Sequence, residues 1–84
     1  MSYSFFWTYR SHKDLEKLPL HISKRIVDKI ESLSEDPHRT AERCEGYPFY
    51  HQRVGAYRAI LEIDDMELSI SILKVGPRKK VYDR

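Results

Sequence analysis

The fold is decided by the stretch Tyr50-His51-Gln52-Arg53-Val54-Gly55-Ala56-Tyr57-Arg58-Ala59-Ile60-Leu61-Glu62-Ile63. Two segments, 49–54 and 57–63, alternate between apolar and polar residues with the period of a half-buried strand. Between them, Gly55 stands at the first central position of a two-residue turn, which suits a type II′ β-hairpin. The turn predicts four facing pairs: Val54 with Tyr57, Arg53 with Arg58, His51 with Ile60, and Tyr50 with Leu61.

A third strand is predicted over residues 67–75, after a turn at Asp64 to Glu67. The pairs predicted there are Ile63 with Leu68, Leu61 with Ile70, and Ala59 with Ile72. Alternation then sorts the residues onto two faces of the sheet. An apolar face, expected to pack on helices, carries Tyr50, Val54, Tyr57, Ala59, Leu61, Ile63, Leu68, Ile70 and Ile72. A mixed basic face, typical of an open binding surface, carries His51, Arg53, Arg58, Ile60, Glu62, Ser69, Ser71 and Leu73.

The N-terminal half predicts one strand and a helical hairpin. Aromatic residues alternate with polar ones over residues 3–9, which indicates a strand. Ser11 to Asp14 resembles a capping box, so a helix should begin at Ser11. Apolar residues then recur at spacings of three and four, as on one side of a helix: Leu15, Leu18, Ile22, Ile26, Ile30 and Leu33. We expect a helical hairpin that bends at Pro19 and ends at Asp36-Pro37. Residues 38–48 are predicted to form a loop.

Together these elements predict a single α+β domain over residues 1–84. A small, mostly antiparallel sheet of about four strands should pack on the N-terminal helical hairpin, in the order β-α-α-β-β-β. The 84 residues suffice for one domain, and a composition of 40 % apolar and 33 % charged residues is typical of a soluble globular protein.

The composition also indicates the cellular compartment and whether a membrane or a metal ion is involved. No apolar run approaches the ~18 residues of a membrane span, and MSYSFFWTYR does not resemble a signal peptide, so no membrane partner is expected. Cys44 is the single cysteine, which favours a reducing, cytoplasmic setting. The four histidines and Cys44 lack metal-ligand spacing, so no metal site is expected.

Charge is unevenly distributed along the chain. Residues 1–45 are balanced, whereas residues 46–84 carry seven basic and five acidic side chains, four of the acids lying between positions 62 and 67. Outside that acidic stretch the C-terminal half is strongly basic, as expected of an RNA-binding surface. A solvated surface without a ligand stays open as the alternative.

The predicted pairing of Arg53 with Arg58 is unfavourable for folding. Like charges facing across a strand pair destabilise by a few tenths to about 1 kcal/mol. A bound phosphate would explain the pair, because two guanidinium groups can hold one anion. Neutralisation by Glu62 or by another acid is the alternative. Further along, Gly76-Pro77 is expected to end the last strand and turn Arg78 back over the sheet edge.

The chain resembles the RelE toxins over nearly its whole length. The similar segments are Gly46, Tyr50 to Arg58, Val75-Gly76-Pro77-Arg78, Val81-Tyr82, and the helical part from Lys13 to Ile30. The helical part is common to the wider RelE/ParE superfamily. The resemblance implies the toxin of a toxin–antitoxin system, an endonuclease that cuts mRNA in the ribosomal A site. It implies no metal or other cofactor.

The resemblance also implies roles for individual residues. The 2′-hydroxyl of the RNA would attack the adjacent phosphorus, leaving a 2′,3′-cyclic phosphate and a free 5′-hydroxyl. Arg58 would stabilise the phosphorane with help from Arg53, and Arg78 would act near the leaving oxygen. Tyr82 would be the base or would stack on a codon base, while His51 stands where relatives often have lysine and is a further candidate base. Contacts with RNA or the ribosome are expected from Lys74, Lys79 and Lys80.

Three functions stay open at this point. A ribosome-dependent endonuclease would have mRNA, the ribosome and a RelB-like antitoxin as partners. A ParE-like toxin would share the fold but inhibit a topoisomerase by binding. An inactive relative would bind RNA or an antitoxin without cleavage. The combination of Arg58, Arg78 and Tyr82 favours the first.

Overall fold

A computed structural model describes residues 2–78, which form a five-stranded sheet with two helices packed on one face. The elements are β1 (Ser4–Trp7), α1 (Tyr9–Glu16), α2 (Leu20–Glu31), a 3-10 turn (Pro37–Arg39), β2 (Glu42–Arg43), β3 (Tyr50–Val54), β4 (Tyr57–Asp64) and β5 (Ser69–Pro77). The strand order is β1-β5-β4-β3-β2, with β1 parallel to β5 and the other pairs antiparallel. The predicted α+β fold is confirmed, and β2 is an added short strand inside the predicted loop.

The β3–β4 hairpin has the predicted register. Tyr50 faces Leu61, and the other three predicted pairs are also present, including Arg53 with Arg58. Gly55 has φ +61°, the positive value that a type II′ turn requires at its first central position. The local turn chemistry therefore sets which side chains meet across this hairpin.

The predicted register between β4 and β5 is wrong by two residues. Ile63 pairs with Ile70, not with Leu68. The reason lies in the turn, where Asp64 Oδ1 accepts hydrogen bonds of 3.0 Å from the backbone N–H groups of Met66 and Glu67. Leu68 has φ +55° and belongs to the turn, so pairing begins beyond it. A shift of two residues keeps each side chain on its predicted face.

A β-bulge interrupts the β4–β5 pairing. Leu61 pairs with Ile72 but Ile60 pairs with Lys74, so Leu73 is the extra residue on β5. After the bulge, Val75 joins the core with 6 % of its surface exposed. The bulge thus returns an apolar side chain to the helical face of the sheet.

Helix α1 begins earlier than predicted. Thr8 is its N-cap, and its Oγ1 accepts a 3.1 Å hydrogen bond from the backbone N–H of Ser11. The prediction of a start at Ser11 is wrong because Asp14 does not return to cap the helix. Its Oδ2 instead accepts a 2.9 Å hydrogen bond from the backbone N–H of Val75. Asp14 of α1 therefore provides a hydrogen-bond acceptor for a backbone N–H of β5, beyond the point where β1 ends.

The core lies between the helices and the predicted apolar face. Pro19 separates α1 from α2 as predicted, and the helical hairpin packs its apolar stripe against β3, β4 and β5. The buried members are Ile26, Ile30, Leu33, Ala41, Ala59, Leu61, Ile70, Ile72 and Val75. Within residues 2–78, no helix is long and apolar enough to cross a membrane.

We expect Asp14→Ala to lower the free energy of unfolding by about 1–3 kcal/mol, because the N–H of Val75 would lose its acceptor in a partly buried place. Arg10→Gln is the matched control, since it breaks only the exposed Arg10–Asp14 salt bridge and should cost less than about 0.5 kcal/mol. Urea unfolding of both variants measures the difference. Equal losses would show that the bond to Val75 contributes nothing.

Candidate functional site

The candidate site is built on the β3–β4 hairpin. Arg53 and Arg58 are directly facing partners, on the face that points away from the helices. The side chain of Arg53 is exposed, whereas that of Arg58 is half-buried. His51 lies two residues before Arg53 on the same strand, and so on the same face. Three of the predicted site residues are therefore brought together.

The segment between β2 and β3 forms a wall beside Arg58. A pocket of about 410 Å³ is lined by Arg43, Cys44, Glu45, Tyr47, His51 and Arg58. A backbone hydrogen bond closes this segment into a turn, because the N–H of Cys44 donates to the carbonyl of Phe49 at 2.8 Å. Cys44 and Ile60 are buried together, with Phe49 and Leu73 packed against them. The face predicted as an open binding surface is therefore partly covered, because Cys44 and Phe49 pack with the apolar Ile60.

His51 is buried beside Glu42 in surroundings that favour its neutral form. It is 8 % exposed, and its Nε2 lies 3.5 Å from Oε1 of Glu42 on β2. Burial lowers the pKa of His51 below its ordinary 6.5, and the positive charges of Arg58 and Arg53 lower it further, with Glu42 opposing. The lowered pKa keeps the imidazole mainly unprotonated at neutral pH, which is the form that a general base requires.

We expect His51 to titrate below pH 6.5, and its ionisation to link pH to stability. The unfolded chain binds this proton more readily, so the stabilisation is complete above pH 6.5 and is lost as the pH falls through the folded-state pKa. NMR titration of the imidazole resonances measures the pKa directly. In His51→Gln, unfolding free energies should fall less steeply over the same pH interval. A His51 pKa at or above 6.5 would contradict the burial argument.

Cys44 is part of the pocket wall, and its thiol is buried. Burial raises the pKa of its thiol, and the charge of Arg58 opposes this only in part. The thiol form is therefore favoured, and thiols react much less readily than thiolates. Its apolar packing on Ile60 accounts for its position.

The remaining residues that were predicted to belong to the site lie next to it or outside residues 2–78, which the structure describes. Strand β5 continues through Gly76 and Pro77, so the prediction of a break there is wrong; Pro77 lacks an N–H but is the last residue of the strand. The backbone N–H of Arg78 donates to the carbonyl of Ala56 at 2.9 Å, which holds Arg78 at the β3–β4 turn. Lys74 is half-buried at the bulge. Outside the described residues lie Lys79, Lys80 and Tyr82.

The residues of this wall and of β2 just before it were missed by sequence reasoning. Glu42, Arg43, Glu45 and Tyr47 fall in a segment without strand or helix periodicity, and pairing with β3 through only two residues leaves no pattern to detect. Gly46, with φ +80°, is the one signal of a tight turn there. Across residues 2–78, no three His, Cys, Asp or Glu side chains are grouped to hold a metal ion.

The helical hairpin packed on a mostly antiparallel sheet is a fold that this chain shares with known toxins. Residues 5–82 match the sequence family of the ParE toxin of type II toxin–antitoxin systems, parDE. The chain therefore belongs to this family of toxins.

Individual relatives agree with this assignment. Toxin RelG of Mycobacterium tuberculosis is 33 % identical over 87 aligned positions that cover all of both chains. The toxin–antitoxin complex RelBE2 of Mycobacterium tuberculosis contains a chain with a TM-score of 0.83 and 32 % identity, covering 93 % of this chain and 100 % of that one. The RelB–RelE antitoxin–toxin complex of Methanococcus jannaschii gives a TM-score of 0.72 at 31 % identity, covering 93 % and 95 %.

Proposed function

We propose that this toxin is an endonuclease that cuts mRNA in the A site of the ribosome. The facing pair of Arg53 and Arg58, with neutral His51 beside it, is the observation that carries the proposal. Two facing guanidinium groups can hold one phosphate, and their two positive charges match the dianionic phosphorane formed during the reaction. The pocket of about 410 Å³ next to Arg58 is within the size range of small-ligand sites.

In the proposed reaction, a 2′-hydroxyl of the mRNA attacks the adjacent phosphorus and the bond to the 5′-oxygen breaks. The products are a 2′,3′-cyclic phosphate and a free 5′-hydroxyl. Arg58 and Arg53 stabilise the additional negative charge of the phosphorane, and guanidinium groups fixed before reaction do so without reorganisation. Arg58 is the more constrained of the two because it is half-buried.

Proton transfer completes the reaction. His51 is proposed as the base that takes the proton of the 2′-hydroxyl, with Tyr82 as the other candidate base or as a stacking partner. Arg78 is proposed to stabilise the leaving 5′-oxygen or donate a proton to it. Such acid–base assistance contributes about 10²–10⁴-fold. Tyr47, 58 % exposed at the mouth of the pocket, offers a ring on which a base can stack.

The proposed partners follow from this reaction and from the relatives. Ribosome and mRNA would be met in the cytoplasm, with Lys74, Lys79 and Lys80 adding positive charge. Two of the similar solved structures, RelBE2 of Mycobacterium tuberculosis and RelB–RelE of Methanococcus jannaschii, are toxin–antitoxin complexes. A RelB-like antitoxin that covers Arg58 and Arg78 with acidic residues would inhibit this toxin.

The proposal is tested by incubating the protein with one mRNA, either naked or bound to translating ribosomes, and mapping the new 5′ ends. Cuts phased with codons on ribosomes, and none on naked RNA, are expected. Cutting of naked RNA would remove the ribosome from the mechanism. No cutting in either sample would leave an inactive relative that binds RNA or antitoxin.

Topoisomerase inhibition is a second candidate function, favoured by the match to the ParE toxin family. A toxin of this kind would act by binding and would not need the arginine pair for chemistry. Supercoiling by purified DNA gyrase, measured with and without the protein, distinguishes the two functions. Inhibition that survives Arg58→Gln would support this candidate against the endonuclease.

A further inference from the structure

Arg25 of α2 lies against the tip of the β3–β4 hairpin. A Cβ atom added to Gly55 would be 3.2 Å from Nη2 of Arg25, and 3.8 Å from its Cζ and Nη1. The guanidinium group therefore packs on the backbone of the turn. Gly55 serves two needs at once, since its φ of +61° favours glycine and its missing side chain leaves room for Arg25.

Three arginines from three parts of the chain lie near this two-residue turn in sequence or in space. Arg25 comes from α2, Arg53 precedes the turn on β3, and Arg78 is hydrogen-bonded to Ala56 through its backbone N–H. All three side chains are exposed. Within residues 2–78, none of the three forms a salt bridge with an acidic side chain. The turn thus carries a concentration of positive charge that folding alone does not require.

Arg25 is on the opposite side of the hairpin from the candidate site. Val54 and Tyr57 pack towards the helices, so Arg53 and Arg58 point to the other face. Arg25 belongs to the helical layer and reaches the turn from behind. A strand of RNA with one phosphate at the arginine pair would meet Arg25 only by passing around the tip of the hairpin.

We propose that Arg25 binds a second RNA phosphate, so that the RNA-binding surface continues around the hairpin tip onto α2. This inference rests on the proposed function for the identity of the ligand. Arginine suits the role because its planar group can remain packed on the turn while its outer N–H groups hold a phosphate. Packing on Gly55 limits its rotamer freedom, which reduces the entropy lost on binding.

The test compares Arg25→Gln with Lys24→Gln. Lys24 is exposed on the same helix, lines the groove between the helices and carries the same charge, so it is a matched control. Binding to ribosomes carrying an mRNA with a 2′-deoxy A-site codon, which cannot be cut, is measured over a range of salt concentrations. The binding constant K falls as the salt concentration rises. Loss of one phosphate contact makes the plot of log K against log salt less steep by about 0.7, which is equivalent to about fivefold weaker binding at 0.1 M salt.

We expect that change for Arg25→Gln and an unchanged slope for Lys24→Gln. Arg25→Lys, which keeps the charge, should retain most of the slope, whereas a purely structural role would make it resemble Arg25→Gln. An mRNA truncated after the P-site codon identifies the phosphate: loss of the difference indicates mRNA, and its persistence indicates ribosomal RNA. Either result supports a phosphate contact.

Equal slopes for wild type and Arg25→Gln would overturn the inference, as would equal reductions in both glutamine variants. The readout is binding, so it is independent of cleavage. A wild-type protein that binds ribosomes but leaves a normal mRNA intact would refute the proposed endonuclease and still report on Arg25. A wild-type protein that binds no ribosomes would refute both.

Discussion

Replacing Arg58 with glutamine is expected to reduce ribosome-dependent cleavage by about 10²-fold or more. This is the scale of loss when one fixed donor to a transition-state charge is removed. Glutamine keeps part of the stem and a hydrogen-bonding end, so the loss would come from the charge and geometry of the guanidinium group. Single-turnover cleavage on programmed ribosomes, at saturating toxin, measures the chemical step apart from binding.

Two further measurements separate this role from a structural one. Removing Arg58 relieves its repulsion of Arg53, so the melting temperature in low salt should be unchanged or slightly higher, by the equivalent of a few tenths of a kcal/mol. The pKa of His51 should rise, because the charge of Arg58 helps to lower it. A clear loss of stability would mean that Arg58 is required for folding, and the phosphate argument would fail.

Arg53 and Arg78 provide matched comparisons for Arg58. Arg53→Gln relieves the same repulsion, but a supporting role predicts a smaller loss of cleavage. Arg78→Gln lies outside the facing pair, so it should reduce cleavage without any gain in stability. Equal effects of all three on both properties would indicate a general contribution of positive charge.

Leu61→Ala is expected to have the largest effect on stability. Leu61 is fully buried in the middle of β4, between Tyr50 and Ile72 on the neighbouring strands. Truncation of such a leucine costs about 2–5 kcal/mol through lost burial and the cavity left behind. A domain of 84 residues has about 4–13 kcal/mol in total. The melting temperature should therefore fall by roughly 10–30 °C.

Met66→Ala is the control for the core substitution. Met66 lies in the β4–β5 turn with 91 % of its surface exposed, so its truncation should change stability by no more than about 0.5 kcal/mol. Calorimetry of the two variants under one set of conditions gives the comparison. A small effect at Leu61 would mean that the apolar face of the sheet is not the main source of stability.

Structural features that are set by neighbouring residues could be predicted from the sequence. The β3–β4 register follows from Gly55 and its neighbours, and it was predicted correctly. The β4–β5 register depends on Asp64 capping two N–H groups and on Leu68 adopting a positive φ, which is uncommon for leucine. A turn was predicted at Asp64 to Glu67, but the sequence did not indicate that it extends to Leu68. The site residues on the hairpin could thus be placed, and the bulge at Leu73 could not.

Contacts between segments that are distant in the sequence could not be predicted. The cover over Ile60 comes from Cys44 and Phe49, in a segment with no periodic pattern. Asp14 was predicted to cap its own helix, although it accepts a hydrogen bond from Val75, 61 residues away. The approach of Arg25 to Gly55 also depends on how α2 crosses the sheet. None of these contacts leaves a signal in neighbouring residues.

The parallel pairing of β1 with β5 sets an order of events during synthesis of the protein. Ser4 pairs with Ser69, so the first strand to leave the ribosome has no partner until the fifth is made. At the usual 5–20 residues per second, those 65 residues take about 3–13 s. Throughout that interval Phe5 and Trp7 lack the strand they pair with. The β3–β4 hairpin, whose partners are adjacent in the chain, has no such delay.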